Sequence, residues 1–341
     1  MRGLLRLFLF VSAVFVLTAA AFAQQTQPMM KAAVAKEFGG PEVLKLESVP
    51  VPEPKDDDVL IRVIAAGVNP VDGYIRAGKF QRGPAKFPLI PGMDVAGVVE
   101  RVGSKITKFK KGDAVYAYLS VNEQGGYAEF ALAKENEMAI KPKSLTFVEA
   151  AAVPLAATTA WEGLIDTAKL SSGQTVLIHG GSGGVGSFAV QIAKAKGAKV
   201  IATASGPNQA LLKELGADET IDYTTTKFED KVKDVDVVYD AVGKDTLARS
   251  PAVVKKGGFI VSIAGQSDAA ELEKRGIKGA TVMAHPDAKV LEELARLIDD
   301  KKIKVVVSQT LPLAEAAKAH EQIATKHTRG KIVLKVADEP K

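Results

Sequence analysis

The glycines of residues 180–186 have the spacing that a phosphate-binding turn requires. The apolar run Thr175–His179 leads into Gly181, Gly183 and Gly186, which are arranged as G-x-G-x-x-G. Glycine lets the backbone turn tightly and approach a pyrophosphate closely. The N-terminus of a following helix then offers free N–H groups and a partial positive charge to that anion. A tight turn without any ligand is the alternative interpretation of the same glycines.

The segments after these glycines favour the interpretation as a binding turn. Apolar side chains recur there at helical spacing, at Val185, Phe188, Ala189, Ile192 and Ala193. A second apolar run follows at Lys199–Thr203. A strand, a glycine turn, a helix and a further strand form the context in which this spacing indicates a dinucleotide-binding unit.

The residues after the second run bear on which dinucleotide is bound. Sites for NAD usually place Asp or Glu about 20 residues after the glycines, where it bonds the ribose 2′-hydroxyl. Residues 203–208 contain no carboxylate, and Ser205 offers a donor to a 2′-phosphate, although no arginine is present to clamp one. We therefore predict NADP(H) as the cofactor.

Composition excludes several other classes of protein. The chain is 47% hydrophobic and 25% charged, with a net charge of +5 whose basic residues are scattered, so we expect no nucleic-acid partner. It contains no cysteine, which excludes disulfides, a thiolate nucleophile and cysteine-ligated zinc. The four histidines are dispersed along the chain, and we predict no metal site. They are His179, His285, His320 and His327.

The first 23 residues have the pattern of a secretory signal peptide. Arg2 and Arg6 precede an apolar run over 7–17, and small residues at 21–23 suit a cleavage site. We expect an exported chain, periplasmic or secreted, that starts near Gln24 with a flexible segment over 24–30. Its remaining residues contain no second apolar run long enough to span a membrane. Initiation at Met29 or Met30 would instead leave a cytoplasmic protein.

The rest of the sequence divides into a strand-rich part and an alternating part. Residues 31–153 contain predicted strands at Ala32–Ala35, Val59–Ile64, Val95–Val99 and Ala114–Tyr118. Residues 154–289 contain predicted strands at Thr175–His179, Lys199–Thr203, Glu219–Asp222, Val235–Asp240 and Phe259–Ile263, with helices at Ala156–Lys169 and Ala210–Leu215. This alternation predicts an α/β fold with a doubly wound parallel sheet.

The last segment, 290–338, is expected to rejoin the strand-rich part. Helices are predicted at Val290–Asp299 and Leu313–Ala324. The alternating run Lys331–Lys335 has the pattern of a half-buried strand that could return to the first domain.

Several motifs together resemble the zinc-free quinone oxidoreductase (zeta-crystallin-like) group of the medium-chain dehydrogenase/reductase superfamily. The resemblance covers residues 31–336. Its motifs besides the glycine turn are AAGVNPVD at 65–72, PGMDVAGVV at 91–99, GDAVY at 112–116, GGYAE at 125–129, LGAD at 215–218, VVYDAVG at 237–243 and GKIV at 330–333.

This resemblance implies a fold and an activity. A distorted, GroES-like β-barrel domain would stand beside a Rossmann domain, with the active site in the cleft between them. The reaction would be NADPH-driven reduction of quinones or α,β-unsaturated carbonyls without a metal. Zinc-dependent relatives have a cysteine ligand near Asn69 and a histidine where Met93 stands. A homodimer formed through the Rossmann sheet edge is also implied, with 279–283 as a plausible edge strand.

The resemblance also implies which residues contact the cofactor. The pyrophosphate turn matches Ser182, Gly183, Gly184, Val185 and Gly186. Ser205 and Tyr223 match positions around the 2′-phosphate. Loops beside the nicotinamide match Val242, Gly243, Ile263 and Gly265, and Lys331 matches a lysine near the cofactor. One departure is that Asn208 stands where members often have a lysine for the 2′-phosphate.

Four residues are predicted to serve the reaction itself. Without a metal, hydrogen-bond donors must stabilise the charge that hydride transfer places on the substrate oxygen, and Asn69 and Tyr74 are the candidates. Asp72 is expected to orient their loop, and Thr159 to lie near the nicotinamide. The alternatives are that Asn69 is a turn residue before Pro70, and that Tyr74 and Thr159 only pack or cap.

Three functions stay open at this point. The first is an NADPH-dependent reductase of quinones or of enals and enones. The second is a cofactor-binding protein with little turnover, acting as a redox sensor or a structural protein. The third, an enoyl-thioester reductase, would call for a wider cleft with basic residues at its mouth.

Overall fold

The computed structural model describes residues 27–80, 84, 86–121 and 125–339. The predicted signal peptide over 1–23 lies outside the described residues. Within them, no helix combines the length and the apolar character needed to cross a membrane.

The strands of the described part form three sheets. In chain order they are β1 (Met29–Val34), β2 (Lys45–Pro50), β3 (Val59–Val68), β4 (Asp94–Val102), β5 (Ala114–Tyr118), β6 (Phe130–Ala133), β7 (Met138–Ile140), β8 (Thr175–His179), β9 (Lys199–Ala204), β10 (Glu219–Asp222), β11 (Val235–Asp240), β12 (Val254–Ser262), β13 (Lys278–Thr281), β14 (Val307–Pro312) and β15 (Lys331–Lys335).

The α-helices lie between these strands. They are α1 (Pro70–Arg76), α2 (Phe147–Ala151), α3 (Pro154–Trp161), α4 (Gly184–Ala195), α5 (Gln209–Glu214), α6 (Lys244–Arg249), α7 (Ala269–Arg275), α8 (Ala288–Asp299) and α9 (Ala316–Ala324).

A six-stranded parallel sheet forms the dinucleotide-binding half, as the sequence predicted. Its order is β10-β9-β8-β11-β12-β13, so strand order reverses between β8 and β11. Ligands of such sheets bind outside the carboxyl ends of the strands at this switch point. The bounds of β8, β10 and β11 agree with prediction, and the apolar runs of β8 and β11 are buried on both faces, as is typical of parallel sheets. The predicted edge strand is β13.

The second large sheet is mostly antiparallel and gives the GroES-like half. Its order is β14-β15-β3-β4-β5-β7, with β6 also paired to β3. The chain end returns to this sheet as predicted, because β15 pairs antiparallel with β3, Ile332 lying opposite Val68. The pairing brings the start of β15 beside the residue that follows β3, which is Asn69.

Two predicted elements differ from the structure. Met29 and Met30 belong to β1 and lie opposite Pro50 and Val49. The prediction of a flexible segment over 24–30 is therefore wrong for residues 29 and 30. Burial of Met30 among the apolar residues of β1 and β3 holds this strand in place. The helix predicted over 156–169 is α3 followed by a wider π-helical turn over 162–167. Apolar periodicity does not distinguish the two kinds of turn.

One continuous apolar core joins the two halves. It includes Ile64 from the antiparallel sheet, Ile178 from the parallel sheet, and Leu291 and Leu294 of α8. The helix α3 lies between the sheets with its alanines buried in the same core. The two halves therefore share one apolar core.

Candidate active site

The glycine turn after β8 leaves the N-terminus of α4 open to a ligand. No side chain of the described residues caps this end, where Gly183 is the N-cap residue. The first N–H groups of a helix have no partner within it, so they can bind an anion. A Cβ on Gly186 would lie 2.1 Å from the Gly180 carbonyl oxygen, whereas one on Gly183 would lie 3.4 Å from it. Only glycine fits at 186.

The start of β15 lies directly against this turn. The Gly330 N–H donates to the Ser182 carbonyl at 2.8 Å, and Gly330 forms a bridge with Gly183. A Cβ on Gly184 would lie 3.2 Å from Cδ of Lys331. The structure thus brings Lys331 to the predicted pyrophosphate turn.

From the turn, the Lys331 side chain reaches a buried polar cluster. Its ammonium group donates to Oδ1 of Asn69 and lies 3.3 Å from Oδ2 of Asp94. The Asn69 amide donates to the same Asp94 oxygen at 2.9 Å, and the Leu155 N–H donates to Oδ1 of Asp94 at 2.8 Å. Burial raises the pKa of Asp94, and the Lys331 ammonium opposes that rise. Asn69 is thereby held between the cofactor turn and α3.

Asn69 keeps the capacity to donate to a ligand. The contact with Asp94 uses one hydrogen of its amide nitrogen, which has two. Asn69 is also the N-cap of α1, and its backbone N–H donates to Oδ2 of Asp72 at 2.8 Å. Asp72 is fully buried, and its contact with Asn69 is this backbone hydrogen bond. Burial raises the pKa of Asp72 to about 7.

The other two candidates for the reaction are Tyr74 and Thr159. Tyr74 is more exposed than Asn69, and the Thr159 hydroxyl is already hydrogen-bonded. Tyr74, on α1, has 48% of its surface exposed. The Thr159 hydroxyl donates to the Leu155 carbonyl at 2.6 Å inside α3, so its hydrogen is used within the helix. Its oxygen retains acceptor capacity and could receive an amide N–H from a ligand.

Two loops at the carboxyl ends of β11 and β12 meet beside the switch point. A Cβ on Gly243 would lie 2.4 Å from the Ala264 carbonyl oxygen, so the loops with Val242 and with Ile263 and Gly265 touch each other. Asp240 accepts the N–H groups of Val242 and Gly243 and the Ser262 hydroxyl. The predicted nicotinamide-side residues are therefore brought together.

The predicted adenosine-side residues also lie close to each other. Ser205 follows β9, and its hydroxyl accepts from the Asn208 amide at 3.1 Å. The N–H of Tyr223, which follows β10, donates to the Ala204 carbonyl at 3.3 Å. Both residues stand at the carboxyl ends of neighbouring parallel strands. The Tyr223 side chain is exposed.

Comparison with known proteins assigns the family. Residues 215–334 match the family model described as zinc-binding dehydrogenase, and residues 55–143 match the alcohol dehydrogenase GroES-like domain. An NADPH-dependent alkenal/one oxidoreductase of Arabidopsis thaliana is 41% identical, covering 89% of this chain and 79% of the relative. A quinone oxidoreductase of Mus musculus is 39% identical, with 89% and 96% covered.

A solved structure agrees with these relatives. The quinone oxidoreductase of Coxiella burnetii superposes with a TM-score of 0.83 at 35% identity, covering 91% of this chain and all of the other. The chain belongs to the quinone oxidoreductase group of the medium-chain dehydrogenase/reductase superfamily. Its chemistry is accordingly that of an oxidoreductase.

The apolar wall beside Asn69 is a feature of this oxidoreductase that the sequence analysis did not assemble. Ile75 of α1, Met93 and Tyr118 form a buried cluster against which Leu155 packs. Met93 adjoins Asp94, and Leu155 is bonded to it, so the wall continues directly from the polar cluster. The match to zinc-dependent relatives identified Met93 but not its neighbours.

Three carboxylates of the oxidoreductase were also missed. Asp94 and Asp240 hold the polar cluster and the nicotinamide-side loops. Asp222 bonds to Thr224 and approaches Gly206, where a Cβ would lie 2.8 Å from its Oδ2. Those hydrogen bonds hold the pKa of Asp222 below its usual range. The signal for Asp222 and Asp240 was available, since each ends a predicted parallel strand at the ligand-binding edge.

Proposed function

We propose that this oxidoreductase uses NADPH to reduce quinones or the conjugated double bond of enals and enones. The observation that supports it best is the junction at Gly330 and Lys331. There the open helix N-terminus of the glycine turn meets the buried Asn69 cluster. The Arabidopsis relative, named as NADPH-dependent and acting on alkenals and enones, supports the same choice.

Ser205 and Tyr223 support NADPH as the cofactor, because both offer polar groups at the carboxyl ends of β9 and β10, whereas the Asp222 carboxylate beside Gly206 opposes a 2′-phosphate. The open N–H groups of α4 suit the pyrophosphate. When bound, NADPH supplies the hydride. The loop with Val242 and Gly243 lies against the loop with Ile263 and Gly265, and we propose that the two loops form a floor for the nicotinamide.

The proposed chemistry depends on hydrogen-bond donors. Hydride transfer to a conjugated carbonyl or a quinone leaves negative charge on oxygen, and a positioned donor stabilises that charge. We propose that the second amide hydrogen of Asn69 and the half-exposed Tyr74 hydroxyl supply this donation. Tyr74, being half exposed, also exchanges protons with water and can return one to the product.

We propose that no metal takes part, because a thioether stands at Met93 and the chain has no cysteine. The described residues also form no group of three His, Cys, Asp or Glu side chains able to hold an ion. Turnover is expected to be unchanged after dialysis against a chelator. Loss of turnover that Zn²⁺ restores would contradict this part of the proposal.

The apolar wall of Ile75, Met93 and Tyr118 supports substrates with an apolar body. We expect kcat/KM to rise with alkyl length among α,β-unsaturated aldehydes, because each buried methylene contributes roughly 0.8 kcal/mol of binding free energy. Charged thioester substrates are expected to be poor, which separates this proposal from an enoyl-thioester reductase.

The decisive experiment follows NADPH and NADH oxidation against a panel of quinones, enals, enones and an enoyl thioester, with fluorescence titration of both cofactors. NADPH turnover on quinones or enals is the expected result. Tight NADPH binding without turnover on any of them would favour a sensor or structural protein instead.

Variants assign the donors. Tyr74→Phe and Asn69→Ala are each expected to lower kcat at least tenfold while NADPH affinity stays within twofold, since about 1.4 kcal/mol of transition-state stabilisation is tenfold in rate. Tyr116→Phe is the matched control, because its buried hydroxyl bonds the Leu291 carbonyl away from Asn69. Unchanged kcat in both site variants would contradict the assignment.

We further propose that residues 1–23 direct export and that two copies pair along the edge strand β13. Fractionation with N-terminal sequencing of the isolated protein tests the first. A cytoplasmic protein starting at Met29 or Met30 would contradict it. Light scattering of wild type and of a Gly279→Pro variant tests the second, with a monomeric wild type as the contradicting result.

A further inference from the structure

A chain of buried polar side chains leads from Asp72 away from the cleft. The Tyr127 hydroxyl lies 2.9 Å from Oδ2 of Asp72, and Nε2 of His320 lies 3.2 Å from that hydroxyl. Nδ1 of His320 lies 2.8 Å from a guanidinium nitrogen of Arg76, whose Nε donates to the Gly39 carbonyl. All four side chains are buried.

The chemistry of these groups fixes the direction of every hydrogen bond. A guanidinium only donates, so Nδ1 of His320 accepts from Arg76 and the ring proton lies on Nε2. Nε2 therefore donates to the Tyr127 oxygen, and the Tyr127 hydroxyl donates to Asp72. Burial and the Arg76 charge lower the pKa of His320 to about 3, which keeps the ring neutral in this role.

Every hydrogen bond in the series from Arg76 through His320 and Tyr127 is consequently donated in the direction of Asp72. Its Oδ2 accepts both the Tyr127 hydroxyl and the Asn69 backbone N–H, whereas its Oδ1 is buried without a hydrogen-bond partner among the described residues. The two donors favour the charged carboxylate, and burial of Oδ1 disfavours it. The charge of Asp72 thus depends on a small number of contacts.

Several elements contribute polar or charged groups to the surroundings of Asp72. Tyr127 precedes β6, His320 belongs to α9, and Arg76 lies on the same helix as Asp72. Asp94 on β4 disfavours the charge, and Lys331 on β15 favours it. The effects of Asp94 and Lys331 on the Asp72 charge therefore oppose each other. The Tyr127 hydroxyl is a contact to Asp72 that one substitution can remove without changing the charge of the protein.

We propose that Tyr127, His320 and Arg76 are positioning residues that keep Asp72 ionised and thereby hold Asn69 in the geometry that serves the reaction. This rests on the proposed function, in which Asn69 stabilises the developing charge. The link is direct, because Oδ2 of Asp72 fixes the Asn69 backbone at the start of α1 while Asp94 and Lys331 fix its amide.

The first test is the pH dependence of kcat in Tyr127→Phe. Removing the hydroxyl leaves Asp72 with one donor fewer, so the pH below which kcat falls should rise by about one unit, the size expected for loss of one hydrogen bond to a charged group. NADPH affinity should stay within twofold of wild type. A profile that superimposes on that of wild type would overturn the proposal.

Variants of His320 distinguish a directed chain from simple packing. His320→Gln retains an acceptor for Arg76 and a donor for Tyr127, and it should keep the pH profile of wild type. His320→Leu retains bulk alone and should shift the profile as Tyr127→Phe does. Equal behaviour of Gln and Leu would overturn the direction assigned to the chain.

Matched controls separate these effects from loss of stability. Tyr116→Phe also removes a buried tyrosine hydroxyl, and His327→Gln alters an exposed histidine beyond the end of α9. Neither should move the pH profile. A shift in either control equal to that of Tyr127→Phe would show a general response to mutation and overturn the proposal.

An infrared titration reads Asp72 without any turnover. The carboxylic acid band that disappears in Asp72→Asn should titrate at higher pH in Tyr127→Phe than in wild type. If the enzyme turns over none of the proposed substrates, the function fails while this titration still tests the chain. A carboxylic acid band that titrates at the same pH in both proteins would overturn the proposal that Tyr127 keeps Asp72 ionised. A band that shifts while the pH profile of kcat does not would overturn the proposed link between Asp72 and Asn69.

Discussion

The ammonium nitrogen of Lys331 lies 3.3 Å from Oδ2 of Asp94, and the two side chains are 4% and 0% exposed. This pair joins the last strand of the chain to β4 on the far side of β3. It also lies between the glycine turn and Asn69. The glycine turn and the candidate donor therefore both contact the same buried ion pair.

Breaking this pair on one side should be costly. Lys331→Met leaves the Asp94 charge buried alone, and Asp94→Asn does the same to the lysine, so each should lower the free energy of unfolding by roughly 3–5 kcal/mol. The double variant should lose clearly less than the sum, since neither charge remains unpaired. Urea unfolding of all four proteins measures the coupling, and additive losses would contradict it.

The glycine turn predicts a contrast between two alanine variants. Gly186→Ala places Cβ 2.1 Å from a backbone oxygen, so the turn must shift, and both stability and NADPH binding should fall. Gly183→Ala has ordinary contacts, and its free energy of unfolding should stay within about 1 kcal/mol of wild type. Thermal melts and fluorescence titration compare them. Normal NADPH binding by Gly186→Ala would show that the turn does not hold the cofactor.

Asp222 predicts that cofactor preference can be increased. Its carboxylate stands beside Gly206 next to Ser205, where a 2′-phosphate would meet like charge. Asp222→Asn should therefore tighten NADPH binding by up to about tenfold and leave NADH binding unaffected. The two dissociation constants measured side by side provide the control. Equal changes in the two dissociation constants would show that Asp222 does not act through the 2′-phosphate.

The parts of the fold that were predictable are those with local signals. Continuous apolar runs at 175–179 and 235–240 predicted β8 and β11 within the parallel sheet, and turn glycines placed the ligand edge. The network of Asp72 with Tyr127 and His320 had no local signal, because these residues are far apart in the sequence. Their meeting depends on how α9 packs against α1, which neither periodicity nor composition determines.

The same limit explains the catalytic candidates. Asn69 was found through the motif at 65–72 and is the N-cap of α1, whereas Tyr74 lies in the second half of that helix. Asp72 belongs to that motif, yet its burial behind Asn69 depends on α9 and on the loop before β6. The sequence analysis predicted no helix at α1, and residue spacing could not tell which of its side chains are buried.

Two buried histidines predict how stability responds to acid. Burial lowers the pKa of His179 and of His320 to about 3, whereas an unfolded histidine titrates near 6.5. Their contributions are complete above the unfolded value and are lost as pH falls, because the unfolded chain then binds more protons. Each histidine should lower the free energy of unfolding by about 2 kcal/mol when the pH falls from 7 to 5.

The raised pKa of Asp72 changes stability with pH in the direction opposite to the two histidines. Comparison of variants separates the histidine contribution from that of Asp72. The stability that Asp72 contributes declines as pH rises from its unfolded value towards about 7. His179→Gln should therefore show a smaller loss of stability on acidification than wild type, while the exposed His327→Gln should match wild type. Urea unfolding at both pH values measures the difference. Equal slopes for His179→Gln and wild type would mean that His179 takes up a proton in the folded protein as readily as in the unfolded chain.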